Sequence, residues 1–190
     1  EREIRDFVAG KTAWLTKYMA LVPEKIKFQY VTGEIHHVFG RAYPLQVCLG
    51  MRDDAVVSTD GELQLVLRTK QREREKVFKA GMKRILLWEI AKQLEIWTKR
   101  MAIPESRITG VTIRVMKSRW GSCRRVTGRF SFALDLVTKP KECIEAVVVH
   151  ELCHLFAAGH GPDFYARMET YLPDYKERDR LLASLPRELV

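Results

Sequence analysis

No stretch of the chain approaches the roughly 18–20 consecutive apolar residues that span a bilayer, so nothing in it reads as a transmembrane helix. There is no CxxC pair. Cys48, Cys123, Cys143 and Cys153 are scattered, which argues against a disulfide framework and a sulfur-rich closed metal site. They are expected to be reduced, mostly buried thiols in a cytoplasmic protein. Nothing resembles a glycine-rich phosphate loop, which removes the usual cradle for a nucleoside triphosphate. There is no internal repeat or low-complexity linker, so domain boundaries are weakly marked. No signal peptide is visible, but the chain begins at Glu1 rather than Met, and an N-terminal piece is expected to be missing.

What is present describes a soluble globular protein. Of its 190 residues 46% are hydrophobic and 30% charged, enough for one domain, or one domain with an appendage, around a real core. The net charge of +9 points to anionic partners such as nucleic acid or nucleotides. Much of that charge lies in mixed-sign runs such as Lys70–Lys76 and reads as solvated surface. The exception is a cluster of Lys117, Arg119, Arg124, Arg125 and Arg129.

Helical spacing of Ile4, Phe7, Val8, Trp14, Leu15, Tyr18 and Met19 predicts a first helix over 3–20, ended by Pro23. From Lys27 to Leu67 the pattern is β, with turns at Thr32-Gly33 and Gly40 and a break at Pro44. Asp60-Gly61 makes a hairpin between Ala55–Ser58 and Leu63–Leu67. His36 and His37, adjacent in this region, fall on opposite faces of any strand and are taken as structural. Residues 71–101 predict one long helix with Phe78, Met82, Leu86, Ile90, Leu94 and Trp97 on its apolar face. Strands are expected at Val111–Met116 and Arg129–Leu136 around a turn at 124–128. A helix follows, opened by Pro140 and running to Ala158, and then a helical segment over 163–185 interrupted near Pro173.

That penultimate helix carries the chemistry. Three of the five histidines lie within the eleven residues from His150 to His160. His150 and His154, four apart, stand one above the other on a helix and can reach one metal ion, with Glu151 beside the open position. On a continuing helix His160 would lie about 9 Å beyond His154, so the chain must turn back to bring it in; Gly159, Gly161 and Pro162 supply breaks. Cys153, between the two histidines, is turned off their face and is taken as packing. Three imidazoles with an open fourth position suit catalytic Zn2+, and Glu151 suits the general base that accepts a proton from water. No cofactor beyond the metal is expected. Arg119, Tyr165 and Tyr175 are candidates for an oxyanion donor that the sequence does not place. The hairpin from Trp120 to Leu134 is expected to border the cleft. Its returning strand, Phe130–Leu134, is either an ordinary sheet strand or a partner for extended substrate, and Trp120 either packs in the core or stacks on a ligand.

The segments Arg119-Trp120-Gly121-Ser122-Cys123, His150-Glu151-Leu152-Cys153-His154-Leu155, His160-Gly161-Pro162-Asp163-Phe164 and Leu172-Pro173-Asp174-Tyr175 resemble the YgjP-like metallopeptidase family. Gly33-Glu34 and Phe39–Leu45 are similar to its N-terminal portion. The resemblance implies an α+β, zincin-like fold, with a small, mostly antiparallel sheet packed on long helices that include the HExxH helix. It also implies kinship with SprT-like and WLM proteases, some of which act on proteins attached to DNA. The metzincin pattern is not met, because Ala157 stands where that pattern has glycine. Residues 1–70 are expected to form an N-terminal helix plus a β-rich region and 71–190 the zincin-like domain, either as two units or as one continuous domain. The function expected is zinc-dependent hydrolysis of a polypeptide substrate, away from membranes. One alternative is a zinc-dependent nucleoside triphosphate pyrophosphohydrolase using the same site. Another is a nucleic-acid-binding module with structural zinc, and the basic cluster would serve either.

Overall fold

The computed structural model describes residues 27–70 and 73–189, so the helix expected over 3–20 lies outside the described residues. The described chain is α+β, with two sheets rather than one. The first contains β1 (Ile35–Val38), β2 (Arg41–Leu49), β3 (Asp54–Val57) and β4 (Leu63–Leu67) in the order β1-β2-β4-β3. Here β1 pairs antiparallel with β2, β2 parallel with β4, and β4 antiparallel with β3 across the Asp60-Gly61 turn. Pro44 interrupts nothing. It stands where β2 hands over from β1, which pairs Arg41–Pro44, to β4, which pairs from Leu45, so its missing N–H costs no ladder bond to β4. His36 is buried against Tyr30 and Phe78 and bonded to Glu34, while His37 meets Glu188 at 3.0 Å. Both histidines are structural.

The long helix α1 (Arg74–Arg100) packs on that sheet with one flank and on the metal-motif helix with another. Gly81 permits the first contact, since a Cβ there would meet the Ala55 carbonyl oxygen at 2.3 Å. Phe78, Met82, Leu86, Ile90, Leu94 and Trp97 are buried, as the apolar periodicity predicts. The second sheet holds β5 (Gly110–Arg114), β6 (Gly121–Arg124) and β7 (Arg129–Ala133) in the order β5-β7-β6, with β5 parallel and β6 antiparallel to β7.

Beyond β7 the chain does not continue as a strand to Leu136. Leu134–Thr138 forms a buried 3-10 turn, in which Asp135 Oδ1 accepts the backbone N–H groups of Glu188 and Leu189 at 2.8 and 2.6 Å. Pro140 then opens α2 (Lys141–Cys153), followed by α3 (Pro162–Tyr171) and α4 (Tyr175–Ser184). Helix α2 is apolar nearly all round, as a central helix must be. Polar links fix it to its neighbours. Lys141 pairs with buried Glu89 of α1 at 2.8 Å, and Trp97 Nε1 donates to Glu145 at 3.0 Å. Arg178 of α4 joins Glu145 at 2.5 Å and Asp174 at 2.9 Å. The scaffold under the histidines is therefore cross-braced on two sides.

Candidate metal centre

One face of α2 presents Val147, His150 and Glu151 to a cleft of about 670 Å³. The helix stops earlier than the sequence suggests, at Cys153 with His154 as its cap rather than at Ala158. The breaking glycines are not what stops it, since neither Gly159 nor Gly161 has a left-handed φ. Its last turn tightens, with Leu155 N–H donating to Leu152 and Phe156 N–H to Cys153, and His154 Nδ1–H donates to the Ala157 carbonyl at 3.2 Å. That bond settles the tautomer and leaves His154 Nε2 free as a ligand. The loop then returns, and Gly161 and Pro162 start α3.

This turn brings His160 back. The ligand atoms of His150, His154 and His160 all lie within 4.8 Å of one another, the one such group among the described residues. His150 Nε2 and His160 Nε2 are 3.1 Å apart. Two nitrogens at 2.0–2.1 Å from a tetrahedral zinc would be about 3.3 Å apart, close to the spacing of this pair, and His154 is near enough to complete the set by a small side-chain adjustment. Phe164 of α3 lies beneath all three rings, with centroids 4.9, 4.8 and 4.7 Å from His150, His154 and His160. It is buried, and it holds the imidazoles in place. Burial, with the two neighbouring rings, pushes His150 down to about 4, so it is neutral at pH 7 as a ligand must be. Cys153 is fully buried and lies off this face.

Glu151 is 4% exposed, and its Oε2 has no hydrogen-bond partner among the described residues. Burial pushes its carboxyl up to about 7, against the opposing pull of Arg119 and the Cys123 amide. Gly121 of β6 allows this arrangement. A Cβ at that position would stand 2.5 Å from Glu151 Oε1 and 2.9 Å from its carboxyl carbon. A glycine inside a strand pattern is a sign of such close approach, although the sequence does not say what approaches. Gly121→Ala is therefore expected to leave metal content intact and to cut hydrolysis about a hundredfold, because the carboxylate must move by nearly an ångström. Activity measured alongside metal content checks this; an active Gly121→Ala protein would show that the contact does not position Glu151.

The remaining candidates separate. Arg119 lines the cleft, while Tyr175 is buried and stacked on Tyr165, which leaves it a packing residue. Tyr165 is half-exposed, its ring 6.3 Å from that of His160. Trp120 lines the cleft and is only half-buried; the Arg187 guanidinium covers one face at 3.7 Å. Of the two readings of the returning strand, the ordinary sheet strand holds: β7 lies between β5 and β6, and both its edges are paired. The edge strands are β5 and β6, and of the two it is β6 that runs beside Glu151. Asp179, Leu182 and Ala183 of α4 form part of the far wall, a contribution with no signature in the sequence.

Among solved structures, the metallopeptidase zymogen abylysin of Pyrococcus abyssi is 23% identical, with a TM-score of 0.45, covering 53% of this chain and 99% of its own. The metallopeptidase zymogen jannalysin of Methanocaldococcus jannaschii is 20% identical, with a TM-score of 0.44, covering 50% and 93%. Comparison with curated proteins gave no match. The metallopeptidase domain of the YgjP-like family matches residues 1–185, and the chain, with the metal site its three histidines imply, belongs to that family.

Proposed function

We propose that this protein hydrolyses peptide bonds, with Zn2+ held by His150, His154 and His160 and Glu151 as the general base. The observation that carries this reading is the convergence of three imidazoles beside a buried carboxyl group in one cleft. When bound, zinc supplies a Lewis acid that acidifies water and polarises a carbonyl. The chain's own residues do the rest. Glu151, with a proton affinity poised near neutrality, takes the proton from water and passes it to the leaving amine. Gly121 and Phe164 hold the carboxylate and the imidazoles in register. The outer edge of β6 offers backbone groups beside Glu151, along which an extended polypeptide can lie.

The test is turnover of an unstructured polypeptide and of a nucleoside triphosphate in parallel, each with and without a chelator. Polypeptide cleavage that stops on chelation and returns with zinc is expected. Triphosphate cleavage without polypeptide cleavage would replace this reading with the phosphoanhydride one, for which Arg119 and Arg125 at the cleft would be the anion holders.

A further inference from the structure

We infer that a groove on the outer face of the β5-β7-β6 sheet holds an acidic stretch of the polypeptide substrate, next to the segment being cleaved; this rests on the peptidase reading above. The groove has a volume of about 840 Å³ and meets the cleft across β6, where Arg119, Ser122 and Cys123 line both. Its charge has one sign. Arg114, Lys117, Arg119, Arg124 and Arg129 border it and no carboxylate does. All five are exposed, and among the described residues none forms an ion pair. Elsewhere on the surface Lys79, Arg84, Lys99, Lys176 and Arg178 each hold a carboxylate at 2.5–2.7 Å.

The sheet register sharpens the point. Arg124 and Arg129 are directly opposite each other across β6 and β7. Like charges so placed destabilise a sheet, and a glutamate at either position would relieve the repulsion. Between the charged ends runs a row of hydroxyls, Thr112, Ser131 and Ser122, with Thr112 and Ser131 joined at 2.9 Å. These donors and cations suit carboxylates. A nucleic acid single strand is less well served, because binding it draws on exposed aromatic platforms, and Phe130, the one aromatic residue lining the groove, is 1% exposed. The five-residue span of β7 is about 17 Å, the length of five extended peptide residues.

The experiment measures binding by fluorescence anisotropy on zinc-loaded Glu151→Gln protein, with a labelled peptide carrying six glutamates, its glutamine counterpart, and an oligothymidylate of equal charge. The glutamate peptide is expected to bind at least tenfold more tightly than the glutamine peptide at low salt, with the gap closing as ionic strength rises. Arg129→Glu should abolish the gap while leaving the melting temperature unchanged or higher, since it creates an opposite-charge pair with Arg124. Arg114→Glu, at the other end of the groove, should narrow the gap independently. Equal affinity for both peptides overturns the assignment, and tighter binding of the oligothymidylate gives the groove to nucleic acid instead. Wild-type turnover separates the two levels. Equal cleavage of both peptides keeps the peptidase and removes the acidic preference, whereas cleavage of neither removes both.

Discussion

Glu151→Gln is expected to keep its zinc, its fold and its melting temperature while losing hydrolysis by about a hundred- to ten-thousand-fold, the usual worth of general-base catalysis. Glutamine has nearly the same volume, so it fits the space that Gly121 leaves open, and all three imidazoles remain. What it cannot do is accept a proton from water. The discriminating control is Glu151→Asp, which keeps the base but withdraws it by one methylene; it should recover part of the loss. Full activity in zinc-loaded Glu151→Gln protein would overturn the mechanism.

The same substitution has a signature in the metal-free protein that does not depend on turnover. The Glu151 carboxyl rises from 4.5 to about 7 on folding, so its contribution to stability is fully present below pH 4.5 and lost as pH rises through 7. His150 moves the other way, from 6.5 to about 4, so its contribution is present above pH 6.5 and lost as pH falls through 4. Each shift corresponds to something on the order of 3 kcal/mol. Between about pH 4.5 and 6.5 the two slopes oppose each other, and chelator-stripped wild type should be nearly flat with respect to this pair. In stripped Glu151→Gln only the histidine slope remains, so stability should fall on acidification. Parallel melting curves for the two proteins across that range would contradict the burial-driven shift.

The metal motif was legible because its information is local. His150, Glu151 and His154 sit within one helical turn, and the need for His160 to return follows from helix rise alone. What surrounds the motif was not, because it depends on pairings between distant segments. The β6–β7 hairpin can be read around its turn, but the parallel pairing of β5 with β7 leaves no local mark, and it is this pairing that takes β7 off the edge and leaves β6 beside Glu151. The strand expected to reach Leu136 bends at Leu134, where Asp135 captures backbone groups more than fifty residues away. Likewise α2 ends at Cys153, where the backbone tightens into i→i−3 bonds and the His154 ring turns to the Ala157 carbonyl of the returning loop, which propensity does not reveal.

Removing the metal is the other large perturbation. One zinc per chain is expected in protein purified without added metal, and none in a His150→Ala, His154→Ala double variant, because the described residues hold no second group of ligands. His160→Ala should weaken zinc rather than abolish binding, since the two helix histidines persist and only the loop-borne ligand is lost. The three nitrogen donors also bind copper, whose affinity for such sites exceeds that of zinc, so elemental analysis rather than reconstitution decides the native ion. Zinc at a hundred times its dissociation constant adds about 2.7 kcal/mol to stability. The melting temperature of wild type should therefore rise on zinc addition and fall on chelation, while that of the double variant responds to neither. Acid should release the metal in both wild type and Glu151→Gln, because protons compete for the imidazoles whatever stands at position 151. Zinc content unchanged in the double variant would move the metal elsewhere and remove the ground for placing hydrolysis at this cleft.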